Sequence, residues 1–81
     1  MVIVPVVLLL DAYRIEGKLH LPPELVRFSD AWESVMRDHR EYVPVTDARI
    51  TTIDGVEVVE SPFLEVRKSD VRAVFPRDLA S

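Results

Sequence analysis

The sequence contains two histidines, His20 and His39, and imidazole is the commonest metal ligand among protein side chains. A zinc or similar site needs further ligands at suitable spacing, and carboxylates would have to complete the set here. No metal-ligand spacing pattern surrounds either histidine. We therefore expect no metal site, and we interpret His39 as a residue at the end of a helix, where it suits the helix dipole.

Ser29, Asp30 and His39 supply the residue types of a hydrolytic triad. The sequence has no Gly-x-Ser-x-Gly motif, however, and the N-cap of a helix is a sufficient explanation for Ser29. The two glycines, Gly17 and Gly55, suit a strand bend and a hairpin turn, so no phosphate-binding loop is indicated. The absence of cysteine excludes a thiolate nucleophile, a disulfide and a cysteine zinc site. We expect no catalytic residue and no cofactor, and we expect that the protein is not an enzyme.

The segment around the only tryptophan is the most distinctive part of the chain. Arg27, Phe28 and Trp32 belong to residue types that act as hot spots in protein interfaces, which makes them candidate interface residues. Trp32 also falls at helical spacing with Val35 and Met36, as the core-facing stripe of a helix would. The sequence leaves open whether Trp32 belongs to the core or to an interface.

The N-terminal run, residues 2–10, is apolar at both odd and even positions except for Pro5. It lacks the basic region and the cleavage site of a signal peptide, and it is about half as long as a membrane helix. We therefore expect a buried strand and no membrane partner. One small core can hardly cover both faces of such a strand, so we expect an exposed edge and self-association through it. The candidate interface residues on this strand are Val4, Val6, Val7 and Leu9.

Residues 13–21 alternate strictly between apolar and polar, which predicts a strand with one buried face. The Asp-Ala pair at residues 11–12 forms either a tight turn before this strand or a bend in one long strand, with a slight preference for the turn. A change to helical spacing then predicts one short helix over about residues 30–40, with Ser29 or Asp30 as its N-cap.

The second half of the chain is rich in β-forming residues that are separated by turn signals. A strand over residues 42–53 leads into Asp54-Gly55, which predicts a type I′ hairpin turn. The pairs expected to lie opposite each other across this hairpin are Arg49 with Glu60 and Thr51 with Val58. Two shorter strands follow at residues 63–67 and 71–75. We expect a single, mainly β domain over residues 1–81: a small, strongly bent, five-stranded antiparallel barrel with one short helix between the second and third strands.

The order of these elements and two stretches of sequence resemble the Sm-like family of small β-barrels. Residues 6–19 are similar to the family's first motif, in which an Asp-Gly-Arg-type turn leads to a strand with a glycine and then an apolar residue. The corresponding positions here are Asp11, Ala12, Arg14, Gly17 and Leu19. Residues 64–74 are similar to the second motif, whose core is Arg-Gly-x-Asn-Val. The resemblance implies an Sm/SH3-like barrel and, as an alternative function, RNA binding.

The RNA-binding loops of that family contain asparagine, and this chain has none. Residues 67–70, Arg-Lys-Ser-Asp, lack both the glycine and the asparagine of the second motif. The resemblance therefore implies the barrel more directly than the RNA site. The chain also resembles small bacterial families that contain Tyr-Arg-Ile-x-Gly, Arg-x-Ser-Asp and Pro-Val-Thr-Asp-Ala, and this similarity implies no activity.

Charge and composition bear on the partners and the source of the protein. A net charge of −4 disfavours general binding to nucleic acid, because that affinity comes mostly from Lys and Arg. The absence of Asn, Gln and Cys is typical of thermophilic proteins. The lack of cysteine and of a signal peptide predicts a cytoplasmic location. We expect a non-enzymatic, homo-oligomeric binding or assembly module, which can also take a protein partner, with Sm-like RNA binding as the alternative.

Overall fold

The computed structural model describes residues 2–22 and 27–80. The strands and the helix are β1 (Val2–Leu9), β2 (Tyr13–Leu21), α1 (Phe28–Arg37), β3 (Tyr42–Thr52), β4 (Glu57–Arg67) and β5 (Ala73–Pro76). Two 3-10 turns cover Lys68–Asp70 and Arg77–Ala80.

The strands lie in one antiparallel sheet in the order β4-β3-β2-β1-β5, and α1 is inserted between β2 and β3. The predicted mainly β fold, with five antiparallel strands and a single helix at this place, is confirmed. The two edge strands, β4 and β5, do not pair with each other in the described part of the chain. The sheet is therefore open, and the expected barrel does not close.

The second half of β1 is an interior strand. β1 pairs with β2 along its whole length, and β5 pairs with the second half of β1 on the other side. Val6, Val7 and Leu8 have no exposed surface, while Val4 and Leu9 are half-buried. The expectation that one chain cannot cover both faces of this strand is wrong for these residues, because β5 and the last 3-10 turn contact β1 within the same chain.

The hydrophobic core lies between the sheet and α1. The alternation predicted for β2 is confirmed from Ile15 to Leu21, while Tyr13 at the start of the strand is exposed. The buried members of the core are Val6, Leu8, Ile15, Leu19, Leu21, Ala31, Val43, Val45, Ala48 and Val66.

The connection between β1 and β2 is a tight turn. The backbone N–H of Leu10 donates to the carbonyl of Tyr13 at 2.9 Å, across the two residues Asp11 and Ala12. Of the two alternatives that the sequence leaves open, the hairpin is therefore the one that forms.

A close approach and a bulge bend the sheet between β2 and β3. A Cβ atom on Gly17 would lie 2.4 Å from Cγ1 of Val45, so only glycine fits there without a shift of its neighbours. The register between the two strands slips between Glu16 and Lys18. Nearby, Asp47 has a positive φ of 49°, a conformation that aspartate tolerates better than most residues.

The β3–β4 hairpin differs from the predicted one at its turn. Arg49 lies opposite Glu60 as expected, but Thr51 lies opposite Glu57 and not Val58, because the register shifts beside Ile50. The prediction of a two-residue type I′ turn at Asp54-Gly55 is also wrong. That turn needs positive φ at two successive residues, and here only Gly55 has it, at 95°. The segment expected as a separate short strand at residues 63–67 is the second half of β4, and the last strand begins at residue 73.

The helix begins earlier than predicted and ends earlier. Its N-cap is Arg27, whose side chain makes no capping hydrogen bond, so the prediction of Ser29 or Asp30 as the N-cap is wrong. Both residues lie in the first turn, where the carboxylate of Asp30 suits the helix dipole. The other end is held by Lys68, whose ammonium group donates to the carbonyls of Val35 and Asp38.

Candidate functional site

The residues with catalytic potential lie apart from one another. Ser29 is in the first turn of α1 and His39 lies two residues beyond its end, so the helix separates them by roughly 15 Å. His20 is on β2, where Nε2 lies 2.9 Å from the hydroxyl of Thr46. Within residues 2–22 and 27–80, no three His, Asp or Glu side chains are grouped as metal ligands. Ser29, Asp30 and His39 are therefore not assembled into a hydrolytic triad.

The three candidate interface residues around α1 have different surroundings. Phe28 and Trp32 are half-buried and pack against the core, whereas Arg27 is exposed. Trp32 and Val35 of the predicted stripe thus dock α1 on the sheet, as the core interpretation of Trp32 requires, whereas Met36 is exposed.

Most of the basic side chains are already engaged. Counting only carboxylates among the described residues, at least six of the ten Lys and Arg residues lie within 4 Å of one: Arg14, Lys18, Arg37, Arg40, Arg49 and Arg72. Lys68 is buried under the end of α1, and Arg67 donates to the hydroxyl of Tyr42 at 3.0 Å. Few cations are left to neutralise phosphates, which is the main source of nucleic-acid affinity.

A row of charges crosses the sheet on β2, β3 and β4. Arg49 lies opposite both Glu16 and Glu60, and its guanidinium is 2.8 Å from the carboxylate of Glu60. The hydrogen bond from Arg49 lowers the pKa of Glu60, and the same bond raises the pKa of Arg49. An open groove of about 590 Å³ runs beside this row. Because its central charges satisfy one another, the groove gives little basis for a ligand site.

The free edge of β4 is blocked in its middle. The hydroxyl of Ser61 donates to the carbonyl of Phe63 at 2.6 Å and accepts the backbone N–H of Phe63 at 3.3 Å. A single side chain thus satisfies both backbone groups that Phe63 would offer to another strand. Proline and charged residues are the usual means of preventing edge-to-edge pairing, and β4 carries both.

The opposite edge of the sheet contains a stretch that no strand covers, although the 3-10 turn Arg77–Ala80 contacts β1 on this side. β5 is only four residues long and ends at Pro76, opposite Val6 of β1. The first half of β1, Val2–Pro5, pairs with β2 but with no strand on its other side in the described part of the chain. Val2 and Ile3 are exposed, and the stretch carries no charge.

The backbone of Ile3 points toward this open side. Leu9 accepts the N–H of Arg72, next to β5, at 2.8 Å, so the carbonyl of Leu9 faces away from β2. Alternate residues of an antiparallel strand direct their backbone groups to the same side, which puts Ile3 and Pro5 on the side of Leu9. Pro5 offers no N–H there, and the open stretch is therefore centred on Ile3.

Of the candidate interface residues on β1, the structure thus leaves Val6 and Val7 enclosed and Val4 and Leu9 half-buried. Sequence reasoning did not identify Ile3 or the Ser61 block. The only signal for the block was a Ser-Pro pair inside a β-forming run, since proline within such a run favours an edge strand.

Comparison of the chain with protein-family models, with curated proteins and with solved structures finds no match. Among the described residues, α1 is the longest helix, and it falls well short of the length needed to cross a membrane.

Proposed function

We propose that this protein is a non-enzymatic assembly module that associates with a second copy of itself through the open half of the β1 edge. The observation that carries the proposal is the stretch Val2–Pro5, which pairs with β2 but, among the described residues, with no strand on its outer side. This stretch is apolar and uncharged, and it lies next to the end of the short strand β5. Unpaired strand edges are templates for pairing with another chain, and closed symmetric pairing removes them.

A second copy suits this edge because the stretch is complementary to itself. In an antiparallel arrangement about a two-fold axis at Ile3, Val2 of one copy lies opposite Val4 of the other, and no charges oppose each other. With the axis at Ser61, the same arrangement on β4 would place Glu57 of one copy opposite Glu65 of the other and would break the Ser61 hydrogen bonds. Pro5 limits the new pairing to a few residues, so we expect a weak dimer whose population rises with concentration.

The lack of cysteine suits a reducing compartment, and we place this association in the cytoplasm. A protein partner that offers a short apolar strand would compete with the second copy for the same edge.

The test compares the molar mass of three proteins by size exclusion with light scattering, from tens of micromolar upward. Ile3→Asp adds a charge to the open edge, and Phe63→Asp is the matched control, because these side chains are 53% and 54% exposed. We expect the unmodified chain and Phe63→Asp to rise from 9.3 kDa toward twice that mass, and Ile3→Asp to stay at the mass of one chain. A one-chain mass for the unmodified protein at every concentration contradicts the proposal, as does equal dimerisation of Ile3→Asp.

The alternative proposal, RNA binding, is supported by the resemblance to Sm-like proteins and by no contact described above. The engaged cations and the net charge of −4 weigh against it. A fluorescence polarisation titration with single-stranded RNA at physiological salt distinguishes the two functions. Sub-micromolar affinity would favour RNA binding over self-association as the main activity.

A further inference from the structure

The tip of the β3–β4 hairpin carries a run of exposed apolar side chains. We define the tip as residues 53–59. Its four large apolar side chains are each between 45% and 63% exposed: Ile53, Val56, Val58 and Val59. Contiguous exposed apolar residues rimmed by polar ones mark interaction sites. The tip lies on a different strand pair from the β1 edge, so it needs an occupant of its own.

The tip is held in one conformation by its backbone. The N–H of Thr52 donates to Val56 at 2.8 Å, and the N–H of Gly55 donates to Thr52 at 2.9 Å. The hydroxyl of Thr52 also accepts the N–H of Val56 at 3.0 Å, and the N–H of Ile53 donates to Ala12 at 3.2 Å. The last bond ties the tip to the β1–β2 turn. A surface ordered before binding loses little conformational entropy when a partner docks.

The charges around the tip are mostly negative. Asp54 and Glu57 lie within the tip and Glu60 follows it. Among the described residues, Arg49 is the one cation with an ion pair to any of the three, at 2.8 Å from Glu60 and 3.7 Å from Glu57. The carboxylates repel phosphates, which disfavours nucleic acid and anionic lipid as occupants. They would also repel the tip of a second copy. The rest of a second copy offers little basic surface, because most of the cations described here are in ion pairs.

We infer that the hairpin tip docks a basic amphipathic segment of another protein. Such a segment presents apolar side chains to the four exposed residues and lysine or arginine to the acidic rim. The interaction is independent of self-association at β1, since it uses neither Ile3 nor the strands beside it.

The test uses a labelled synthetic helical peptide of leucine and lysine, measured by fluorescence anisotropy against three forms of the full chain. Val58→Asp places a charge in the tip. Phe63→Asp adds the same charge on the same strand outside the tip, at nearly the same exposure. If the basic peptide bound only through its charge, both substitutions would strengthen binding, because each adds a negative charge to the protein. We expect Val58→Asp to weaken binding about tenfold and Phe63→Asp to leave it unchanged or stronger. Circular dichroism confirms that each variant is folded, and Val59→Asp replaces Val58→Asp if the latter is not.

Three results would overturn this inference. They are the absence of binding by the unmodified chain, equal weakening by Phe63→Asp, and equal affinity for a matched peptide of leucine and glutamate. Sedimentation with phosphatidylcholine vesicles is measured in parallel. Binding to the vesicles that Val58→Asp abolishes, without peptide binding, would assign the tip to a membrane surface and would equally overturn it.

Discussion

Lys68 is the one charged residue that is buried in the described part of the chain. Its ammonium group donates to two carbonyls at the end of α1, Val35 and, at 3.0 Å, Asp38. The last carbonyls of a helix have no partners within the helix, and a lysine there satisfies them and complements the dipole. One side chain on the 3-10 turn after β4 thus fixes the position of α1 over the sheet.

Replacement of Lys68 by methionine should therefore destabilise the protein. The substitution keeps most of the side-chain volume and removes two charge-assisted hydrogen bonds, so we expect the free energy of unfolding to fall by about 2 kcal/mol. Urea denaturation followed by circular dichroism measures it. Lys18→Met is the control, because the side chain of Lys18 is 43% exposed and its ion pair with Asp47 lies at the surface. Equal and small effects of the two substitutions would contradict this role of Lys68.

Asp38 sits at the same helix end and should titrate unusually low. The backbone N–H of Arg40 donates to its carboxylate at 2.9 Å, and this bond, with the Arg40 side chain, lowers the pKa of Asp38 from 3.8 to about 2. A carboxyl whose pKa is lowered by folding stabilises the protein above its unfolded pKa. We therefore expect this contribution to be lost as the pH falls from 3.8 toward about 2. An NMR titration of the carboxyl carbon checks it, and a midpoint near the ordinary value of 3.8 would contradict the geometry.

At the scale of the elements, the decisive contrast is between the two edges of the sheet. β4 is long but blocked by the bonds from Ser61 to Phe63, whereas the edge beside β5 is open at Val2–Pro5. If the block protects β4, its removal should create a second association site.

Ser61→Ala removes the hydroxyl and frees both backbone groups of Phe63. We expect this variant to form assemblies larger than the dimer, because a chain with two open edges can extend in both directions. Ser61→Thr keeps a hydroxyl and serves as the control. Light scattering at matched concentrations compares their masses. A mass for Ser61→Ala that equals that of the unmodified chain would show that the Ser61 bonds do not protect this edge.

The elements could largely be predicted from the sequence, because alternation and helical spacing are local properties. β2 follows its apolar-polar pattern, and α1 is displaced by only a few residues from the predicted helix. Turn chemistry was less predictable. Asp54-Gly55 favours a two-residue turn, but the shift beside Ile50 changes the pairing and leaves positive φ at Gly55 alone.

The neighbours of each strand could not be predicted, since pairing is a tertiary property. The apolar pattern of β1 predicts burial on both faces, which is correct for Val6, Val7 and Leu8 but not for Val2 and Ile3. It does not show that β5 and the C-terminal turn of the same chain contact this strand. For the same reason the candidate interface fell on Val6 and Val7, which are enclosed, and missed Ile3.

At the scale of the whole molecule, the composition predicts high thermal stability. The chain lacks Asn, Gln and Cys, and its surface is crossed by ion pairs, both of which are associated with proteins from thermophiles. We expect a melting midpoint above the range of roughly 45–65 °C that is common among mesophilic domains. Differential scanning calorimetry measures it, and a midpoint near about 50 °C would contradict a thermophilic origin.

The central claim is that Ile3 pairs with a second copy of the chain, and amide hydrogen exchange at Ile3 tests it most directly. Its N–H faces the side of β1 away from β2, where no strand of the described residues pairs with it, and it is hydrogen-bonded in the proposed dimer. We expect the exchange of this N–H, followed by NMR, to slow markedly as the protein is concentrated to about 1 mM, while that of Val7 is slow throughout. If the Ile3 N–H still exchanges as fast as in an unstructured chain at the highest concentration, the claim is contradicted.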